Sequence, residues 1–371
     1  MRFVLFCHSL VSDWNHGNAH FLRGVVSELL DRGHEVRVFE PVDSWSRTNL
    51  VADHGDVAVA DFHAAFPLLR STTYDLAELD VPAMTAGADV VIVHEWSDPA
   101  LVAACGRHRR AGGYRLLFHD THHRMVTEPD AMAAYELDEY DGVLAFGQVI
   151  RDLYLDRGLA DRAWTWHEAA DTRVFRPLDG VEPCRDLVWI GNWGDDERTE
   201  ELDEYLFAPV QRLGLRTQVF GVRYPEHARR RLSAVGIAYG GWCANHRVPV
   251  EFAASRVTVH VPRRPYVHSL PGIPTIRPFE AMACGIPLVS APWDDAERLF
   301  RRGSDHLMAS SPAEMEQLLD EVLHDADLAA SLRDEGLATI AAGHTCRHRV
   351  DELLRCCAEL GLTHASEEIH D

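Results

Sequence analysis

The chain has no lysine: all 36 basic residues among its 371 are arginine. Every chemistry that needs an ε-amine is therefore closed to it, including a Schiff base, a pyridoxal phosphate anchor and a P-loop lysine. Positive charge of any kind is scarce, since 58 Asp and Glu leave a net charge of −22. A surface of that sign repels phosphate backbones and anionic lipid, which argues against nucleic acid or a membrane as the partner. The eight cysteines, Cys7, Cys105, Cys184, Cys243, Cys284, Cys346, Cys356 and Cys357, include no CxxC pair. They read as reduced, small hydrophobes and not as a disulfide framework. No run approaches the ~18 apolar residues of a membrane span, and the apolar start MRFVLFCHSL is too short for a signal peptide, so a cytoplasmic protein is expected.

What is present is a repeated alternation of strand and helix. At roughly 150 residues per domain the length favours two domains. Phe3 to Cys7 is an apolar run, Phe21, Leu22, Val25, Val26, Leu29 and Leu30 follow at helical spacing, Gly33 stops that helix, and Val36 to Phe39 reads as a second strand. Strand, helix, strand within forty residues means a parallel βαβ unit. The pattern recurs at Asp89 to Val93, a helix from Asp98, Tyr114 to Phe118, Gly142 to Phe146 and a helix ending near Gly158, while residues 41–80 are less regular and read as inserted helices or a hairpin. After Trp164 to His167, the segment EAADTRVFRPLDGVEPCRD is rich in proline and charge and reads as a linker. A second cycle then begins with strands at Leu187 to Ile190, Thr217 to Phe220 and Val257 to Val261, helices at 197–213 and 225–234, and a helical end over 312–361 followed by a frayed tail. The expected boundaries are a domain over 1–167, a linker over 168–183, a domain over 184–345 and a returning helix with tail over 346–371.

Two groups of residues carry chemistry. The Pro271 to Ile276 loop should deliver a helix whose first turn holds Pro278 and Glu280, with Gly285 and Pro287 ending it. Free N–H groups at such a helix start suit a diphosphate, and a carboxylate on the same turn suits a ribose diol. The plainer alternative is that Glu280 only complements the helix dipole. Arg198, Arg277, Arg263 and Arg264 compete for the diphosphate charge. The second group is histidine-rich. His8 and the Asp13 to His20 loop follow the first strand, His94 and Glu95 follow VVIV, and His119, Asp120, His122 and His123 follow RLLF. Ligands of parallel α/β sheets bind beyond the carboxyl ends of strands, where these positions can converge. The HDTHH run also has metal-binding residue types, but neither an HExxH nor a paired-carboxylate helix accompanies it, and no metal is expected.

The stretch IRPFEAMACGIPLVSAP resembles the C-terminal motif of GT-B glycosyltransferases, in particular the family-4-like enzymes and the spore-maturation CgeB-like group. HFLRGVVSELLDRGHEVRVFEP is similar to the start of their N-terminal domain, and EAADTRVFRP to their interdomain segment. The resemblance implies an α/β GT-B fold of two Rossmann-like, doubly wound domains facing across a cleft, with C-terminal helices crossing back. It implies a metal-independent enzyme without cofactor that moves a sugar from a nucleotide diphosphate donor to a small-molecule, glycan or protein acceptor. His119 matches the family's His near the transferred sugar, with Asp120 and Asp13 as further catalytic candidates. Glu280, Arg277, Arg198, Thr275, Ile276, Gly17, Asn18 and His94 are the expected donor contacts. Two departures stand out: Gly272 occupies the place of an earlier Glu, and the loop GNWGDDER offers Arg198 where relatives pair Arg with Lys. A GT-B nucleotide-sugar epimerase or a non-catalytic nucleotide-sugar binder remains the alternative.

Overall fold

The computed structural model describes residues 1–15 and 17–362; the expected frayed tail lies outside them, as does His16. The chain divides into two compact units, Met1–His167 with the segment from Cys346 onward, and Glu168–Thr345. No helix of the described residues is long and apolar enough to cross a membrane.

The first unit is built on a parallel sheet of β1 (Arg2–Phe6), β2 (Glu35–Pro41), β3 (Thr72–Tyr74), β4 (Val90–His94), β5 (Arg115–Asp120), β6 (Gly142–Ala145) and β7 (Ala163–Thr165). The strand order is β3-β2-β1-β4-β5-β6-β7. Strands covered on both faces must be apolar throughout, and VVIV of β4 and LLF of β5 are fully buried. Helix α1 (Asn18–Asp31) follows β1, and α2 (Pro99–Gly112) follows β4, starting where Asp98 accepts from Ala100 N and ending at the left-handed Gly113. Residues 41–80 hold two helices, Trp45–His54 and Asp56–Ala65, and the edge strand β3, which pairs parallel to β2. A parallel partner excludes the hairpin, and three residues of TTY are too few to carry a periodic signal.

The second unit repeats the plan with β8 (Arg185–Ile190), β9 (Thr217–Phe220), β10 (Ala238–Tyr239), β11 (Ser255–His260), β12 (Leu288–Ser290) and β13 (Leu307–Met308) in the order β10-β9-β8-β11-β12-β13. The helix expected over 197–213 is broken in the middle. Pro209 cannot donate to the carbonyl four residues back, and the preceding turn widens so that Ala208 N reaches Asp203 O. The stretch 168–183 is not a bare linker. Ala170 and Phe175 are buried in the core of this unit with Val188, Phe252 and Phe279, so two apolar anchors inside a polar segment tie it down. Helices α3 (Ile276–Cys284), α4 (Pro312–His324) and α5 (Ala326–Gly343) complete the unit. The chain then returns to the first unit as α6 (Cys346–Glu359), which packs on α1 through Arg32 and Asp351, 2.6 Å apart. Arg349 of α6 donates to His167 O at 2.9 Å, and Trp166 donates to Arg349 O at 2.7 Å.

Both sheets reverse their winding direction once, between β1 and β4 and between β8 and β11. Open α/β sheets bind ligands at the carboxyl ends of the strands flanking such a reversal. The chemistry-bearing residues lie there.

Candidate active site

In the second unit the reversal is spanned by one side chain. Arg198, at the end of the loop after β8, donates from Nη1 to Val261 O after β11 at 3.0 Å and from Nη2 to Asn192 O after β8 at 2.5 Å. Its guanidinium lies 5.0 Å from the Trp189 ring centroid. The loop is held by Asn192 Oδ1, which accepts from Val222 N at 2.9 Å, and by Tyr224, which donates to Gly191 O at 2.9 Å. Gly221 must be glycine here, because a Cβ on it would collide with Gly191 O. Arg198 has no carboxylate within ion-pairing distance, and its buried Nε has no partner. Burial first, then the nearby Arg263 and Arg277, lower its pKa to about 9, which leaves it charged at neutral pH. A buried charge without a counter-ion is costly unless a ligand supplies one. The competing arginines are satisfied already: Arg263 pairs with Glu197 at 3.0 Å, and Arg264 with Glu201 at 2.6 Å and Glu200 at 3.0 Å.

The start of α3 forms the second wall. Thr275 precedes the helix at φ 52°, a left-handed conformation that a β-branched residue adopts only under strain. The loop before it is pinned by Gly272, at φ 90°, donating to Asp294 O at 2.7 Å. Because the helix opens at Ile276, Glu280 falls just past the first turn expected for it from the sequence. It is wholly buried and ion-paired with Arg277. Thr275, Ile276 and Arg277 therefore present the helix N-terminus, and Glu280 lies behind Arg277.

In the first unit His8 follows β1, His94 ends β4 and His119 lies beside it on β5, in register with His94. Their rings form a chain, His8 to His94 at 5.2 Å and His94 to His119 at 5.1 Å. His119 also packs against Phe21 at 6.0 Å and Trp166 at 4.8 Å, a neighbour that no local pattern announces because it comes from the far edge of the sheet. Burial lowers the His119 pKa to about 3, so the ring is neutral near pH 7 and is not the near-neutral base the sequence allowed. Its Nε2 is buried without a partner, which leaves one ring nitrogen for a ligand hydroxyl. His94 is committed inside the unit: Nδ1 accepts from Trp96 N at 3.3 Å, and Nε2 faces Thr121 Oγ1 at 3.0 Å.

The two carboxylate candidates are also committed. Asp120 is fully buried and accepts from Tyr154 Oη at 2.8 Å and His122 N at 3.1 Å, so it does not set the His119 tautomer. Asp13 forms an ion pair of 2.7 Å with Arg23, both side chains nearly inaccessible, and Arg23 also donates to Leu10 O and Val11 O. That pairing removes Asp13 as a reserve base. Gly17 caps α1 and Asn18 opens it. The His122 and His123 rings lie 3.9 Å apart, tilted by 37°, and His123 contacts Thr127 Oγ1 at 2.9 Å. Among the described residues, no group of three or more His, Cys, Asp or Glu is placed to hold a metal ion.

Residues 198–355 match a protein family described as glycosyl transferase-like. No curated protein matches the sequence. Among solved structures, sucrose-phosphate synthase from Thermosynechococcus elongatus superposes with a TM-score of 0.67 at 14% identity, over 97% of this chain and 99% of that one. Anabaena Alr3699/HepE, in complex with UDP and glucose, gives 0.69 at 13% identity over 97% and 100%. An alpha-glucosyltransferase in complex with UDP and a 13-mer DNA containing an HMU base gives 0.70 at 13% over 96% and 99%. The glycosyl transferase-like match covers residues 198–355, and the fold shared over the whole chain is that of GT-B glycosyltransferases.

Proposed function

We propose that the enzyme takes its sugar from a nucleoside diphosphate donor and binds that diphosphate on the second unit, at Arg198 and the start of α3. The observation that carries this reading is the unpaired Arg198 guanidinium, held at the sheet reversal by two carbonyls and facing no carboxylate. Thr275, Ile276 and Arg277 add the N-terminal end of α3, whose free N–H groups favour an anion. Glu280 is assigned to the ribose diol, with Arg277 released toward the diphosphate when the nucleotide enters. In the transfer step the bond from the sugar's anomeric carbon to the diphosphate oxygen breaks, its electron pair stays on the diphosphate, and the acceptor oxygen bonds to that carbon while its proton passes to solvent or to the departing diphosphate. Charge grows on the leaving diphosphate, and fixed donors placed there lower the barrier. Arginine supplies that charge without a metal ion.

In the first unit, His119 is assigned to a sugar hydroxyl through its bare Nε2. Gly17 and Asn18, opening α1, are assigned to the donor, while His94 serves to hold Thr121. UDP is the first nucleotide to test, since the structures of HepE and of the alpha-glucosyltransferase contain it. A nucleic-acid acceptor is disfavoured by the net charge of −22. A glycan, small-molecule or protein acceptor remains, and reliance on Arg198 without lysine supports reading the enzyme as similar to the CgeB-like group.

The test is calorimetric. A charge-assisted hydrogen bond contributes about 1.5–3 kcal/mol, so Arg198→Met should weaken UDP binding by roughly 10- to 150-fold and leave uridine binding unchanged. Equal loss for UDP and uridine, or no loss for either, would remove Arg198 from the diphosphate site.

A further inference from the structure

Glu95 and Asp120 stand at the carboxyl ends of the neighbouring strands β4 and β5, and both are wholly buried. Asp120 uses both oxygens as acceptors, one from the Tyr154 hydroxyl and one from His122 N. Glu95 N donates to His119 O at 2.9 Å, which sets the Glu95 carboxyl beside the β5 end that carries Asp120. Glu95 Oε1 accepts from Thr121 N at 3.1 Å and from Thr121 Oγ1 at 3.3 Å, while Oε2 meets no N–H or O–H group. No guanidinium reaches either carboxyl. Arg124, the one cation in this wall, places Nη1 on Glu95 O and Tyr135 Oη and Nε on Glu128.

Two carboxylates buried together, with their nearest cation Arg124 bonded to other groups, resist being ionised at once. A retained proton needs an oxygen that no donor already occupies, and the bare Glu95 Oε2 is that position. Asp120 receives a donor on each oxygen, whereas Glu95 Oε2 receives none, so Asp120 is the better anion. Thr121 completes the set. Trp96 N donates to His94 Nδ1, so the neutral ring carries its hydrogen on Nε2 and gives it to Thr121 Oγ1, whose own hydrogen goes to Glu95.

We propose that Glu95 is a neutral acid in the working enzyme, that its Oε2–H donates to Asp120, and that this retained proton positions the 119–124 segment for sugar transfer. Glu95 touches no reacting atom; it acts through Asp120, Thr121 and the segment carrying His119 and His122. The titratable and charged groups around the pair are His94 from β4, with His8 behind it, His119 from β5, His122 and Arg124 from the following segment, Tyr135, and Tyr154 from the helix Gln148–Asp156. Burial, and then the charge of Asp120, hold Glu95 well above its ordinary 4.5, and burial raises Asp120 to about 6. An acid raised on folding takes up a proton as the chain folds. Stability is then fullest below the ordinary Glu value and falls as pH rises from there through the raised value.

Glu95→Gln replaces the acid O–H by an amide N–H that cannot be lost. In the wild type, the contribution of this group to the folding equilibrium should fall about tenfold per pH unit above its ordinary value, and Glu95→Gln should remove that slope. Turnover of the variant, relative to its own value at pH 7, should extend further into alkali than turnover of the wild type. Difference infrared spectra of the native wild type at neutral pH should show a protonated carboxylic acid band that Glu95→Gln abolishes and Asp120→Asn shifts. Should Glu95→Gln not fold, the wild-type spectrum decides alone. A wild type without that band, or a variant with an unchanged pH slope of stability, overturns the proposal. The functional part rests on the transfer reading above, but the infrared and stability measurements do not, so a failure of one is distinguishable from a failure of the other.

Discussion

Arg277 and Glu280 are ion-paired one turn apart on α3, with the carboxylate wholly buried and the guanidinium nearly so. Each partner therefore depends on the other while the nucleotide is absent, and the two single substitutions should not be equivalent. Arg277→Met removes an ion-pair partner of a wholly buried carboxylate and should destabilise the protein. Glu280→Gln leaves the more accessible charge behind and should cost less, while weakening uridine binding through the lost acceptor of the ribose diol. Urea midpoints for both variants, with uridine and UDP titrations, check this; equal destabilisation with unchanged uridine affinity would count against it.

Thr275 should be destabilising in its own right. A β-branched residue held at φ 52° stores of the order of 1–3 kcal/mol, and glycine occupies that region without the steric penalty. Thr275→Gly is expected to raise the unfolding free energy by about 1 kcal/mol and to weaken donor binding, since strain kept at a helix start that receives a ligand trades stability for position. A variant less stable than wild type would show that the hydroxyl contributes more than the strain costs.

The sequence carried the two α/β cycles because buried parallel strands are apolar runs, and runs such as VVIV and LLF need no context to be read. Short edge strands such as β3 and β10 escaped, since two or three residues have no period. The site was legible as to residue type and strand end but not as to pairing. Asp13 and Arg23 are ten positions apart and gave no local sign of their ion pair, and Asp120 gave none of its contact with Tyr154. Pro278 lies in the first turn as read, but the helix opens at Ile276, so Glu280 falls just past that turn. The bare Arg198 was named as a candidate by elimination of lysine, but only the structure shows that Arg263 and Arg264 are already paired.

The buried pair of Asp13 and Arg23 gives a stability prediction separate from catalysis. Both side chains are nearly inaccessible, and the Arg23 guanidinium also lies 4.8 Å from the Phe62 ring centroid. Asp13→Ala should cost about 3–5 kcal/mol by leaving that cation unpaired. Any loss of turnover at 25 °C should then disappear under conditions that restore folding, such as saturating sugar donor, which stabilises the native state by mass action. Persistent loss of turnover in fully folded Asp13→Ala would return Asp13 to the list of catalytic candidates.

Removal of divalent metal should leave turnover unchanged, because in the proposed site Arg198, Arg277 and the α3 N-terminus take the diphosphate charge without a metal ion. The measurement is initial rate after exhaustive chelation, with and without added manganese or zinc. Activity lost on chelation and restored by either ion would move the diphosphate charge to a metal and make the His122 and His123 pair the first place to look for ligands.

His119 supplies the sharpest test of the transfer reading. Its ring is held on three sides by Phe21, His94 and Trp166, is neutral down to about pH 3, and has one buried nitrogen without a partner. Such a group can bond a sugar hydroxyl but cannot give turnover a titration near neutrality. His119→Gln keeps a polar tip of similar reach, whereas His119→Ala removes it and leaves a cavity. Turnover at saturating donor should therefore fall in the order wild type, Gln, Ala, while UDP affinity stays within a few-fold, since UDP lacks the sugar. The pH profile of His119→Gln between pH 5 and 9 should keep the wild-type shape. A profile that loses a limb in that variant would mean that His119 titrates during turnover, and the neutral hydrogen-bonding role would have to be replaced by proton transfer.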